Sequence, residues 1–209
     1  MEFIYTEIGN IRPCYVMPVA VNLPALHATL HPLYKKRVFF IGSLDYMPNQ
    51  EGLIWFVEKV WKRYFHNTDG VAFHIAGRNA PGKLKKYLKN QPVNFIGEVD
   101  NASHFMQEGG IMVAPVFSGG GIRVKIIEAM ANGIPVVSTT IGAEGLDVTN
   151  NENIMVADTP EKFAESVNKL LENQTFFAKI GENAKKFIRG KMDGHKLTNE
   201  LMNFYQTIV

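Results

Sequence analysis

The sequence predicts an α/β fold, a parallel sheet of about six strands with helices packed on both faces. Two features lead there. From Arg37 onward, short β-branched runs alternate with stretches of helical periodicity, the pattern of successive βαβ units. Nearly every strand candidate is also apolar at consecutive positions, as a strand covered on both faces must be.

The strand candidates fall at 38–42, 71–76, 93–96, 111–114, 135–138 and 153–156. Between the first two, Leu53, Phe56, Val57, Val60 and Tyr64 recur at helical spacing while Glu58, Lys59 and Lys62 fall on other faces, which predicts a long amphipathic crossover helix. A second helix is expected over 124–131. A third opens at Thr159, with Pro160 in the first helical position and Phe163, Val167, Leu170 and Leu171 forming its buried stripe. The tail reads as helices over 175–189 and 195–207, separated at Asp193 and Gly194. Residues 1–36 break this alternation, with Pro13, Pro18, Pro24, Pro32 and one possible strand at 14–17. The chain therefore divides into a linker-like segment (1–36), an α/β domain (37–192) and a C-terminal helix (193–209).

Twenty-two basic and 20 acidic residues leave a net charge of +2, too little for nucleic-acid binding by bulk electrostatics, so no nucleic-acid partner is expected and any bound anion must be held locally. The single cysteine, Cys14, excludes an internal disulfide and a cysteine-rich zinc site; it fits a reducing compartment, and a cytoplasmic location is expected. His27 and His31 lie four apart, but Pro24 and Pro32 interrupt any shared helix face and no third ligand accompanies them, so no metal is expected. Residues 1–13 carry Glu2, Glu7 and Arg12 in place of an apolar secretory core. No apolar run approaches the roughly 20 residues of a membrane-spanning helix. The stretch Lys-Leu-Lys-Lys-Tyr-Leu-Lys at 83–89 is amphipathic and basic. It reads either as a solvated helix face or as a peripheral contact with an anionic membrane, which would place the protein at the inner face.

Open α/β sheets bind ligands beyond the carboxyl ends of their strands, so the loops after each strand hold the candidate chemistry. Gly42 and Ser43 follow the first strand, Gly77, Arg78 and Asn79 the second, and Gly97, Glu98 and Val99 the third. The loop after the fourth contains Ser118, Gly119, Gly120, Gly121 and Ile122, then enters a helix through Arg123, Lys125 and Glu128. Three glycines before a helix let the backbone approach a ligand and present amides at the positive end of a helix dipole, a setting suited to phosphate. Arg123 and Lys125 in that first turn oppose the dipole, so a nearby anion would account for them. Glu128 has the acceptors to take hydrogen bonds from two ribose hydroxyls. Each has a plainer reading: a flexible turn, solvated cations, a glutamate paired with a lysine. Their coincidence at one strand-to-helix junction favours an anion site. No paired carboxylates or clustered histidines stand out as acid and base, so no catalytic residue is assigned.

The run 119–133, followed by Ile134-Pro135-Val136-Val137-Ser138-Thr139 and Gly142-Ala143-Glu144-Gly145-Leu146, resembles the donor-binding domain of retaining glycosyltransferase family 4. Gly42-Ser43-Leu44-Asp45-Tyr46 with Pro48-Asn49, Ile75-Ala76-Gly77 and Phe95-Ile96-Gly97-Glu98-Val99 fall in the family's order, and 18–22 resembles its interdomain linker. The resemblance implies a Rossmann-like domain forming one half of a GT-B fold, with the active site between halves. It further implies a UDP- or GDP-linked sugar as substrate and no resident cofactor or metal. It places the ribose at Glu128, the base near Gly97, Glu98 and Val99, and the diphosphate and sugar at Gly119, Gly120 and Gly121. The C-terminal helix would pack back toward the N-terminal domain.

Two departures from the family's pattern matter, and a glycine-rich subgroup shares the first. The first of the family's two glutamates would fall at Gly120, and the basic pair of the first loop is missing, with Ser43 and Asn49 near those positions. Arg123, Lys125 and Arg78 are then the expected diphosphate ligands. The acceptor-binding half, which should precede this domain, is expected in cis or in trans, and the isolated chain is expected to be inactive in transfer. The alternative is a non-catalytic nucleotide-sugar-binding scaffold or regulatory module.

Overall fold

A computed structural model describes residues 34–208. The possible strand at 14–17, most of the linker-like segment, His27 and His31 lie outside the described residues. Six parallel strands form one sheet: β1 (Arg37–Ile41), β2 (Ala72–Ala76), β3 (Asn94–Gly97), β4 (Ile111–Ala114), β5 (Val136–Ser138) and β6 (Met155–Val156), in the order β3-β2-β1-β4-β5-β6. Every expected strand is present. The last is shortened because Asn153 and Asn150 turn their side chains onto Thr149 N and Val156 N, at 2.9 and 2.8 Å, and so hold 150–154 in a loop.

The helices are α1 (Met47–Trp55, a π-helical turn Phe56–Trp61, and a final turn Lys62–Tyr64), α2 (Gly82–Lys89), α3 (Ala102–Gln107), α4 (Val124–Ala131), α5 (Thr140–Ala143), α6 (Pro160–Glu172), α7 (Gln174–Met192) and α8 (Gly194–Ile208). Alternating side chains of each central strand serve two cores. Val38, Phe40, Ile75 and Val113 pack with Leu53, Phe56, Val60, Phe163 and Leu170 beneath α1 and α6. Phe39, Ile41, Met112 and Ala114 pack with Phe105, Ile127, Met130 and Ile188 beneath α3, α4 and α7. Burial on both faces is what the consecutive apolar runs require. β3, at the sheet edge, is the exception, with Asn94 and Ile96 exposed.

The crossover helix departs from the simple 3.6-residue stripe. Its π turn inserts an extra residue per turn, so Trp61 and Phe65 continue the buried face while Tyr64 rotates outward to 42% exposure. Caps delimit several helices. Thr159 accepts from Lys162 N, Asn173 from Phe176 N, and Asp193 from His195 N at the junction of α7 and α8. α3 and α5, shorter than the sequence pattern resolves, are capped by Asn101 and Thr139.

Arg37, at the start of β1, is a buried cation that the strand pattern conceals. Its guanidinium donates to Phe105 O at 3.2 Å and Gly109 O at 2.7 Å, pairs with Glu108 at 3.4 Å, and lies over the Phe39 and Phe105 rings. It therefore ties α3 to the sheet. His74 stands opposite Phe39 across the β1/β2 register. Burial, then the Arg37 charge, lowers its pKa below the ordinary 6.5, with Glu108 opposing. The fold thus holds the neutral imidazole, and the unfolded chain binds the extra proton first. Stability is full above pH 6.5 and declines as pH falls from there through the folded pKa. The urea midpoint should fall between about pH 7 and 5, and His74→Gln should flatten that slope.

Candidate functional site

β1 and β4 lie side by side at the centre of the sheet, and the chain leaves them toward opposite edges, to β2 and to β5. The loops beyond their carboxyl ends are thereby forced apart, opening a crevice where strand order reverses. Two clefts occupy it. The first, of about 200 Å³, is lined by Tyr46, Asn49, Ile122 and Arg123 above the ends of β1 and β4. The second, of about 510 Å³, runs past the ends of β2 and β3 and is lined by Arg78, Glu98, Val99 and Asp100. Gly42, Ser43 and Lys125 border both.

The walls are set by backbone constraints. Gly77 must be glycine because a Cβ there would overlap the Gly42 carbonyl, so the loops after β1 and β2 touch at the backbone. They are then zipped together: Leu44 N donates to Arg78 O at 2.9 Å, Arg78 Nε to Ser43 Oγ at 3.1 Å, and Asn79 Nδ2 to Asp45 Oδ2 at 3.1 Å. Hydrogen bonding from Ser43, and then from Asn79, holds the Asp45 carboxyl below its ordinary value. Asn49 Nδ2 donates to Ser43 O at 2.8 Å and fixes the other side of the same loop.

The loop after β4 is held at its base by Ser138, which donates to Ala114 O at 2.7 Å, and by Thr139, which exchanges hydrogen bonds with Val116 N and O. Ser118 Oγ donates to Glu51 Oε2 at 2.9 Å. Gly119 and Gly121 have φ of +86° and +91°, and a side chain on Gly119 would run into the Tyr46 hydroxyl and Pro48. Beyond Gly120, where a Cβ would meet nothing within 4 Å, the chain enters α4.

The two cations at that entrance are engaged. The Arg123 guanidinium curls back and donates to Gly119 O and, at 3.2 Å, to Gly120 O, so it braces the glycine loop from beneath. Lys125 Nζ lies 2.6 Å from Glu128 Oε2, a half-exposed pair one turn apart on α4.

The structure thus brings together Gly42, Ser43, Arg78, Glu98, Val99, Ile122, Arg123 and Lys125 as cleft walls. Gly97, Ser118, Gly119, Gly120, Gly121 and Glu128 lie on the same loops or on α4 but do not line either cleft, and 118–121 are exposed. Gly97, with φ of +83°, accepts from Gly77 N at 2.7 Å and so couples the β2 and β3 loops. Tyr46, Asn49 and Val124 were not among the expected ligands although they line the first cleft. Tyr46 precedes the Met47-Pro48 helix start, a position whose side chain faces the loop across the crevice. Tyr46, Met47, Ile122 and Val124 are 43%, 60%, 57% and 45% exposed, giving the crevice an apolar lip. Among the described residues, no group of three or more His, Cys, Asp or Glu side chains is placed to hold a metal ion, and no helix is long and apolar enough to cross a membrane.

A family model described as glycosyl transferases group 1 matches residues 35–173. The chain belongs to this family. Among curated relatives, a Klebsiella pneumoniae protein described as an uncharacterized protein in the cps region is 29% identical over 195 residues, 86% of this chain and 50% of that protein. The phosphatidyl-myo-inositol mannosyltransferase of Mycobacterium leprae is 23% identical over 202 residues, 92% of this chain and 53% of the relative. This group 1 chain therefore spans about half the length of those relatives. Staphylococcus aureus TarM, crystallised as a variant with fondaparinux, alpha-GlcNAc-glycerol and UDP, superposes with a TM-score of 0.70 at 22% identity, over 90% of this chain and 38% of TarM. The C-terminal domain of a group 1 glycosyl transferase, LpcC of Francisella tularensis, superposes with a TM-score of 0.64 at 18% identity, over 77% of this chain and 88% of that one. At these identities the likeness establishes the fold alone: a Rossmann-like α/β domain like the C-terminal domain of LpcC.

Proposed function

We propose that this domain binds the nucleotide-diphospho-sugar donor of a retaining family 4 glycosyltransferase. The observation that carries the proposal is the pair of clefts at the reversal of strand order, joined at Gly42, Ser43 and Lys125 and floored by the N-terminus of α4. The second cleft suits a nucleoside, with the Gly97, Glu98 and Val99 loop at its far end. The α4 N-terminus and the glycine loop suit the diphosphate, since amides and dipole there favour an anion. Lys125, already at the boundary of both clefts, neutralises phosphate charge when it leaves Glu128, and the freed carboxylate accepts the ribose hydroxyls. The donor is a UDP- or GDP-linked sugar, taken as substrate with no resident cofactor or metal. HepE of Anabaena, whose structure with UDP and glucose superposes with a TM-score of 0.65 at 18% identity over 83% of this chain and 48% of HepE, supports a nucleotide-sugar as the class of ligand.

Transfer requires that an acceptor-binding domain, in cis or in trans, close over the crevice and exclude water, because stabilisation of the leaving diphosphate gains its strength in a closed site. The reaction is assigned to the cytoplasm. Calorimetric titration of the chain with UDP, GDP and the corresponding nucleotide-sugars tests donor binding. Saturable binding of one nucleotide series is expected, and silence from all of them at millimolar concentration would overturn the proposal. Because Arg123 holds the loop that meets the phosphates, Arg123→Ala should weaken UDP more than uridine. Equal losses for both would remove it from the phosphate site.

A further inference from the structure

α2 carries Lys83, Lys85, Lys86 and Lys89 in eight residues. Leu84 and Leu88 are buried against the core and Tyr87 donates to Glu58 Oε1 at 2.6 Å, so the inward face is spent and all four lysines stand exposed on the outer side. The ion pairs among the described residues involve Arg37, Lys62, Lys125, Lys191 and Lys196, and none of the α2 lysines.

Fold stability does not explain this arrangement. Lys83 with Lys86 and Lys86 with Lys89 are like charges three apart, and Lys85 with Lys89 four apart, all spacings that destabilise a helix. The helix dipole favours Lys86 and Lys89 in the last turn and disfavours Lys83 in the first. The contact between Tyr87 and Glu58 brings α1 alongside and adds Lys59 and Lys62, with Glu58 the single carboxylate among them. The ridge so formed carries six cations against one anion.

We propose that the lysine ridge of α2 is a contact surface for an anionic lipid bilayer. The ridge is convex: the lysines ride on a helix packed outward from the sheet, and none of them lines either cleft. Ammonium groups spread over a convex helix suit the diffuse negative field of a leaflet, which attracts each one without a groove or a fixed geometry. The apolar residues of α2 are committed to the core, so the contact is superficial and electrostatic, without insertion, and weakens with salt.

Co-sedimentation of the full chain with phosphatidylcholine vesicles, with and without phosphatidylglycerol, tests this independently of any nucleotide. Binding is expected only with phosphatidylglycerol, and it should disappear at high salt. The double change Lys85→Gln and Lys86→Gln should reduce partitioning about thirtyfold, from about 1 kcal/mol per lysine. The control pair Lys179→Gln and Lys186→Gln, exposed on α7, should leave it unchanged. All four side chains are exposed, so urea midpoints should stay level and exclude misfolding as the cause. Three results would overturn the proposal: no binding at low salt, equal binding to both vesicle types, or equal losses in the two double variants. Capture by an acidic polysaccharide such as heparin without any vesicle binding would overturn it too, and would reassign the ridge to a polyanionic chain.

Discussion

Gly52→Ala is expected to lower the stability of the domain by about 3 kcal/mol, the upper part of the range for overpacking a filled core. Gly52 sits inside α1, where propensity alone would make alanine better by about 1 kcal/mol. The packing reverses that sign. A Cβ at Gly52 would overlap the Pro115 carbonyl oxygen outright, and backbone is the one neighbour that cannot rotate away. Pro115 is the first residue beyond β4, so α1 and the loop leading to the glycine triplet meet here in backbone contact. Relief requires α1 to lift from the sheet, where Leu53 and Phe56 are fully buried, or the loop to shift, with Thr139 and Ser138 anchoring it. Urea denaturation measures the outcome, with Gly82→Ala as the control: that glycine begins a helix and its Cβ would meet nothing within 4 Å. A midpoint that rises for Gly52→Ala would mean that propensity had won and that the close approach is not rigid.

That glycine shows where the sequence is legible and where it is not. The six strands could be read because burial on both faces demands consecutive apolar residues, and such runs stand out from any loop. The loops bearing the candidate ligands could be read because glycine and polar residues followed each strand. A close backbone approach leaves no periodic trace, so nothing in the sequence marks Gly52 as a contact between α1 and the loop after β4, and Gly77 stands out only as a residue of a candidate loop. The π turn in α1 was hidden for a related reason: the stripe from Leu53 to Val60 fits a regular helix, and only the rotation of Trp61 inward and Tyr64 outward distinguishes the two. Arg37 was concealed because the guanidinium finds its partners on carbonyls and rings of residues about 70 positions away. At the site, residue types gave the anion-binding character, but the engagement of Arg123 with two glycine carbonyls depends on the turn made by positive φ at Gly119 and Gly121. The Lys125 and Glu128 pair was open to sequence reading as a neighbour pair three apart on a helix.

That pair yields the second large effect, and on affinity where the first fell on stability. Glu128→Gln should weaken UDP binding about tenfold, about 1.4 kcal/mol, near the lower end of what a hydrogen bond to a charged group contributes. The substitution keeps the side chain's shape and removes the charge that makes it a strong acceptor for ribose hydroxyls. It should leave stability nearly unchanged, because Lys125 and Glu128 are 39% and 33% exposed and an exposed pair of this kind contributes at most about 1 kcal/mol. A second ligand separates a ribose contact from a general loss of charge in the crevice. The unsubstituted chain should prefer UDP over 2′-deoxy-UDP, and Glu128→Gln should erase most of that preference, since either change alone removes the same interaction. If the variant weakens both nucleotides equally, Glu128 acts only through Lys125 and the field near the phosphates. If instead affinity holds while the urea midpoint falls, the glutamate serves the helix alone, and the ribose must be sought along the second cleft, where Glu98 and Asp100 are the carboxylates.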